Sequence, residues 1–164
     1  ELCLEAGTIM LLQAQVASSK KQAIITLKGK LEDGSAYRKF KEMVAFQHGD
    51  IRFVANPDHF TLAKYTTPLH ADKDGYISSI DAHVIGEVAM RLGAGRSTKE
   101  DVIDYAAGII LEKKQQDYVH KGDVLAWIHT NKPEHEDEIK YLSKAFSLSQ
   151  AKPDKEPMIY SFID

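Results

Sequence analysis

The sequence predicts an α+β fold, with a helical first third, a β-rich remainder and a domain boundary near residue 62. Three observations carry this expectation. Apolar residues recur at helical spacing as far as Val44; residues from Tyr65 to Ile80 alternate around the turn Asp72-Lys73-Asp74-Gly75; and two short apolar runs, Ile109–Leu111 and Val124–Ile128, lie either side of Lys121-Gly122-Asp123. With 164 residues, 43% hydrophobic and 27% charged, the chain can bury a sizeable core in one or two small domains.

Leu2, Ile9, Leu12 and Val16 share one face of a first helix over about 2–17. Ser19 to Gln22 has the spacing of a capping box, in which the two side chains satisfy amides that a helix start leaves free. It opens a second helix over about 20–31, with Ile24, Leu27 and Leu31 inward. A third covers about 35–47 with Tyr37, Phe40 and Val44 inward, and Asp33-Gly34 and His48-Gly49-Asp50 are the breaks. From Ile51 to Leu62 the periodicity fades, and Asn56-Pro57-Asp58 signals a connecting loop. No methionine and no helix-start signal precede Leu2, so the chain is expected to begin inside a larger protein.

Beyond residue 62, Tyr65, Thr67 and Leu69 alternate, and Tyr76–Ile80 returns after the Asp-Gly turn, which predicts a β-hairpin. Ala82 to Leu92 reads as a helix with Ile85, Val88, Ala89 and Leu92 on one side, ended at Gly93, where a left-handed backbone is inexpensive. Thr98 to Asp101 caps one short turn, and the two apolar runs are strands joined by polar residues. Asn131, Pro133 and Glu134 read as a helix start ahead of Ile139, Leu142 and Phe146, and Met158–Ile163 as a final strand. Paired β blocks of this kind predict a barrel-sandwich-like (α/β hammerhead) C-terminal domain, as in biotinyl and lipoyl carriers. The lysine setting of a carrier is absent: Ile128-His129-Thr130-Asn131-Lys132-Pro133 is neither Met-Lys-Met nor Asp-Lys-Ala.

Charge and cysteine content exclude several function classes. A net charge of -3 with lysines mixed among acids gives no general attraction to phosphate backbones, so nucleic acid is not an expected partner. Cys3 alone forms no internal disulfide and suits a reducing cytoplasm. No apolar run approaches the roughly 20 residues that cross a bilayer.

The densest candidate site is Gly93-Ala94-Gly95-Arg96-Ser97-Thr98-Lys99, where glycines allow close backbone approach and Arg96 and Lys99 can meet an anion. It lacks the third glycine and preceding strand of a dinucleotide fingerprint, and the Gly-Lys-Ser/Thr ending of a phosphate loop. On pattern alone a helix C-cap with a surface loop is the favoured reading, since glycine punctuation is common. His129, His135 and the acids Glu134, Glu136, Asp137 and Glu138 lack metal-site spacing, and the acids suit a first helical turn. No metal ligands are assigned. His83 and His120 read as exposed polar residues, Lys113-Lys114 as a charged turn, Trp127 as core, and Asp101 and Asp104 as capping residues rather than an acid pair.

Taken in order, several segments resemble one family. They are Glu1-Leu2-Cys3-Leu4 with Gly7, Phe40-Lys41-Glu42, Ala63-Lys64-Tyr65, Asp74-Gly75-Tyr76, Leu92-Gly93-Ala94-Gly95-Arg96, Thr98 to Asp104, Lys121-Gly122-Asp123 and Ile159-Tyr160. Each is weak alone, but their order across essentially the whole chain resembles the C-terminal part of bacterial pyrimidine-nucleoside phosphorylases, relatives of thymidine phosphorylase. The chain departs from that pattern at Gln116, where relatives usually have glycine before the aspartate, and at Glu112, where histidine is common.

The resemblance implies reversible phosphorolysis in the parent enzyme, with pyrimidine nucleoside and phosphate as substrates and no organic cofactor. It implies that residues 1–61 are helices of a larger α/β domain, that 62–164 form a C-terminal α+β domain, and that the parent is a cytoplasmic homodimer whose remaining chain is this segment's partner. No catalytic or substrate-binding motif of the family falls on this sequence. The resemblance makes Gly93, Ala94, Gly95, Arg96 and Lys99 a cleft-bordering loop, with Arg96 the residue best suited to face an anion. The competing reading, a non-catalytic binding or carrier module, has a direct check. Co-expression with a biotin or lipoate ligase is expected to leave the intact mass unchanged, whereas a modified lysine would establish the carrier.

Overall fold

A computed structural model of the chain describes residues 1–161. They group as two units: Glu1–His59 with the chain end from Glu156, and Phe60–Lys155.

The first unit is helical, with α1 (Leu2–Gln13), α2 (Lys20–Glu32), α3 (Ser35–Phe46) and the short α4 (Ile51–Ala55). The predicted cap forms: Gln22 N donates to Ser19 Oγ at 3.3 Å. The glutamine amide reaches one residue further back than a capping box requires, accepting from Ser18 N at 3.0 Å and Ser18 Oγ at 2.8 Å. α1 stops short of residue 17 because Gln15 turns left-handed at φ 56° and the amides of Val16 and Ala17 fold back onto Leu11 O. α1 lies close on α2, since a Cβ at Gly7 would stand 3.0 Å from Leu27 Cδ1. In place of the expected loop after Ile51, Asp50 caps α4 through Arg52 N at 2.9 Å, and a single 3₁₀ turn, Pro57–His59, follows.

Burial in this unit corrects the sequence reading. Thr8, Ala17 and Ala23 are buried, but Leu31, Tyr37 and Phe40, expected to point inward, are 66%, 46% and 47% exposed. Helical spacing identifies an apolar stripe, and burial of that stripe also needs an element to lie on it. Here the stripe is covered only in part, with the Tyr37 hydroxyl donating to Val54 O of α4 at 2.9 Å.

The second unit holds two antiparallel three-stranded sheets. β1 (Tyr65–His70), β5 (Val124–Thr130) and β3 (Gly108–Leu111) run in the order β1-β5-β3; β4 (Tyr118–Val119), β2 (Gly75–Ile80) and β6 (Phe146–Ser149) in the order β4-β2-β6. The sheets do not close into one barrel. Helices α5 (Ala82–Ala89) and α6 (Glu136–Ser143) complete the unit. Leu69, Ile77, Val88, Leu92, Val119, Leu125, Ile128 and Leu142 form the buried core, to which both sheets and both helices contribute.

The predicted hairpin is wrong, although both of its strands exist. Past a bulge at Leu69/His70, Ala71 N stays with the β5 side, donating to Asp123 O at 2.8 Å, and Gly122 N donates to Ala71 O at 2.9 Å. Gly75 then starts a strand in the other sheet. Alternation reports which side of a strand is buried, not which strand lies beside it. Leu69 and Ile77 enter one core from different sheets.

Three further expectations are corrected. The last helix starts at Glu136 and ends at Ser143, so Phe146 belongs to β6, paired with Ile80. Asn131 does not start that helix; His135 occupies the N-cap position. Met158–Ser161 is not a strand, and Phe162 and Ile163 lie outside the described residues. The departure at Gln116 proves compatible with the turn: Gln116 takes φ 77°, and its side chain donates to Pro153 O at 2.9 Å while its amide donates to Ile77 O at 2.9 Å. Two hydrogen bonds thus hold a conformation that glycine adopts more easily.

α5 and α6 are clamped at Tyr141, whose hydroxyl donates to Glu87 Oε2 at 2.7 Å beneath the Arg91 guanidinium, 4.7 Å from the ring centroid. The Tyr141 hydroxyl and then Arg91 hold the Glu87 carboxyl below its ordinary value. The entry to β2 leaves no room for a side chain, because at φ 156° a Cβ on Gly75 would lie 2.9 Å from Ser149 O. Gly75→Ala is therefore expected to destabilise by about 1–3 kcal/mol or more, read as a lower urea midpoint. An unchanged midpoint would show that this strand start relaxes freely.

Candidate functional site

The glycine loop is built from the end of α5. Asp81 caps the helix start, its Oδ1 accepting from His83 N at 2.9 Å and Val84 N at 3.2 Å. Ile85, Val88 and Leu92 then face the core as the spacing predicts, joined by Val84 rather than the half-buried Ala89, and after Ala89 the backbone widens into a π-helical turn, Met90–Ala94. Gly93 lies in that turn at φ 119°, the positive value its place at the helix end predicts. A Cβ there would meet Asp104 Cβ at 3.2 Å. Gly95 is extended, and a Cβ there would come within 3.1 Å of Met90 Cγ. Each glycine thus answers a packing need.

A helix end leaves carbonyls without intrahelical partners, and here three receive donors from elsewhere. Lys132 Nζ donates to Arg91 O at 2.5 Å, the buried Thr130 hydroxyl to Leu92 O at 2.9 Å, and Asp104 N to Gly93 O at 2.9 Å. The ammonium of Lys132 also suits the negative end of the helix dipole. Thr130, the last residue of β5, and the following Asn131 and Lys132 form a polar triplet, which sequence reasoning read only as a helix start or a failed carrier motif.

Asp101 closes the loop by accepting from Ser97 N at 2.8 Å, Thr98 N at 3.0 Å and Thr98 Oγ1 at 3.0 Å. The Thr98 amide first, then the Ser97 amide, hold its carboxyl below the ordinary value. Asp104 serves a separate turn through Ala106 N at 3.0 Å and accepts from Asn131 Nδ2 at 2.8 Å. The two acids do capping work, and neither contacts the other.

Gly93, Gly95, Ser97, Asp101, Asp104 and Lys132 are among the residues lining a cavity of about 300 Å³. Ala94, Arg96 and Lys99 do not line it. Arg96 and Lys99 are exposed, their side chains engaged in no hydrogen bond or ion pair among the described residues. The arrangement fixes the backbone from residue 93 to 104 and leaves a guanidinium and an ammonium available to an anion.

The other sequence candidates do not converge. His135 is buried, its Nε2 2.8 Å from Thr67 Oγ1 and its Nδ1 3.1 Å from Lys132 O. His129 meets Thr66 across β1 and β5, and His83 and His120 are exposed. Among the described residues no group of three or more His, Cys, Asp or Glu side chains is placed to hold a metal. Lys113 and Lys114 lead into a turn centred on Gln115-Gln116, with Lys113 N on Leu125 O and Lys114 N on Asp117 Oδ2. Trp127 is half-buried in β5 rather than fully in the core. No helix of the described residues is long and apolar enough to cross a membrane.

Residues 76–149 match the family model described as the pyrimidine nucleoside phosphorylase C-terminal domain. A pyrimidine-nucleoside phosphorylase of Geobacillus stearothermophilus is 40% identical over 163 residues, covering 99% of this chain and 38% of the relative. One of Staphylococcus epidermidis is 39% identical, covering 99% and 37%, and one of Staphylococcus haemolyticus 37% identical over the same shares. The chain spans little more than a third of the length of these relatives, 37–38%.

The loop's ionic dependence follows from Asp101. Because its carboxyl is held below the ordinary value, its contribution is complete above the unfolded-chain value of 3.8 and disappears as pH falls through the lower folded value. Protection of the Ser97 and Thr98 amides is expected to persist at neutral pH and vanish on acidification below that range. Asp101→Asn should weaken it at neutral pH and remove its dependence on acidification, and amide exchange followed by NMR measures both.

Proposed function

We propose that the complete protein is a pyrimidine-nucleoside phosphorylase that cleaves pyrimidine nucleosides with phosphate, since residues 76–149 match the C-terminal-domain model of that family and relatives of that name match 99% of the chain. In that reaction a phosphate oxygen bonds to the anomeric carbon as the bond from that carbon to the base nitrogen breaks. The base leaves with the bonding pair and takes up a proton, and ribose or deoxyribose 1-phosphate is the other product. Phosphate is a co-substrate, and the chemistry calls for no organic cofactor. The observation that carries the reading is sequence identity of 40% sustained over 99% of the chain.

Within that reaction this chain supplies scaffold and closure rather than reacting groups. Residues 1–61 are helices of a larger α/β domain, and 62–164 form the C-terminal α+β domain, whose two sheets are the open halves of a hammerhead-like barrel sandwich. The exposed stripes of α1 to α3 support the first assignment, since Leu31, Tyr37 and Phe40 have the spacing of a face made to be covered. The segment Gly93–Lys99 borders the substrate cleft, with Arg96 positioned to meet an anion as the cleft closes. The remainder of the phosphorylase chain is the partner of this segment, the parent is a cytoplasmic homodimer, and no nucleic acid or membrane is engaged. A carrier role is not favoured, because relatives matched across 99% of the chain, from Geobacillus stearothermophilus and two staphylococci, are named as phosphorylases.

The complete protein is expected to release uracil or thymine from uridine or thymidine only when phosphate is present, and the 164-residue chain alone to release none. Turnover by the isolated chain would overturn the division of labour. Arg96→Ala in the complete protein should lower turnover or weaken substrate affinity with folding stability unchanged. Identical kinetics would leave the loop a structural feature only.

A further inference from the structure

We propose that Asn131 is a positioning residue that ties the point where the chain enters the second unit to the glycine loop, an inference that rests on the cleft-bordering role of that loop. Asn131 follows the last residue of β5 and is half-buried. Its Oδ1 accepts from Lys64 N at 2.9 Å and its Nδ2 donates to Asp104 Oδ2 at 2.8 Å. The orientation of the amide is fixed by its partners, because a backbone N–H can only donate and a carboxylate oxygen accepts. One small side chain therefore bridges segments 67 and 27 residues away in sequence.

The bridge continues on both sides. Lys64 immediately precedes β1 and follows the connecting residues 60–63 that lead in from the helical unit. On the other side, Asp104 accepts from Ala106 N and its own amide donates to Gly93 O, the carbonyl of the residue with φ 119° that turns the chain toward Arg96. A change in path at the connection reaches the loop base through Lys64, Asn131, Asp104 and Gly93, each joined to the next by a hydrogen bond. The flanking Thr130 and Lys132 donate to Leu92 O and Arg91 O, so the residues on both sides of Asn131 are also joined to the helix end that leads into the loop.

The chemistry dictates a reciprocal test. Asn131→Asp keeps an acceptor for Lys64 N but sets a carboxylate against Asp104, and Asp104→Asn keeps the cap on Ala106 N but leaves the Asn131 amide without its acceptor. Combined, the two substitutions restore a complementary pair: the carboxylate now at position 131 accepts from Lys64 N and from the side-chain amide now at position 104, whose oxygen still caps Ala106 N. In the complete protein, each single variant is expected to raise amide exchange across residues 93–104 by about tenfold, the size of one buried polar group left unpaired. Each should lower kcat for phosphorolysis of uridine by about tenfold while KM moves by less than about twofold, the pattern of lost positioning rather than lost ground-state binding. The double variant should return both towards the parent. Exchange that is unchanged in the single variants, or kcat that stays low in a double variant with restored exchange, overturns the proposal. Should Asn131→Asp fail to fold, Asp104→Asn gives the same reading without added charge. If the complete parent protein releases no base, the assigned activity fails, and the exchange pattern with its rescue decides the coupling by itself.

Discussion

Three carbonyl oxygens at the end of α5 set the terms for the second unit. Where the helix widens after Ala89, Arg91, Leu92 and Gly93 turn their carbonyls out of the helical ladder, and the Leu92 side chain beside them is 1% exposed. A buried carbonyl without a donor costs about 1–3 kcal/mol, which applies most strongly at Leu92, whose carbonyl takes a buried hydrogen bond, while the Arg91 carbonyl is met at the surface. The chain leaving β5 delivers two of the donors, from Thr130 and Lys132, and the loop returns to deliver the third from Asp104 N. The path of the chain from 93 to 104 and the polar ending of β5 are consequences of that requirement.

The same requirement explains why the loop is ordered at its base yet presents free charge. Asp101 occupies the Ser97 and Thr98 amides, and Asp104 is shared between Ala106 N and Asn131, so the backbone donors that would otherwise cradle an anion are taken. What remains available is the pair of long cationic side chains, Arg96 and Lys99. Such a loop can respond to an anion by moving side chains over a fixed frame, which suits a cleft edge better than a built phosphate cradle.

The helical unit shows the opposite situation. Its caps and turns are satisfied locally, at Ser19, Asp50 and the left-handed Gln15, while its apolar stripes stay partly open, with Leu31 66% exposed. Local hydrogen bonding forms helices, but packing of amphipathic faces supplies most of their stability in proteins.

The sequence by itself determined the elements whose cause is local. The Ser19 cap, the inward face of α5, the positive φ at Gly93, the apolar strands and the turns after Lys113-Lys114 and at Lys121-Gly122-Asp123 all follow from hydrogen bonds or side-chain periods within a few residues. Ordered resemblance along the chain also identified the family. Tertiary structure alone decided partnership: β1 pairs with β5 instead of β2, Phe146 leaves the last helix for β6, and Asn131 gives up a helix start to join Lys64 with Asp104. The physical reason is that spacing encodes which face of an element is apolar. What covers that face, and which distant donor meets an orphaned carbonyl, depends on contacts between residues tens of positions apart.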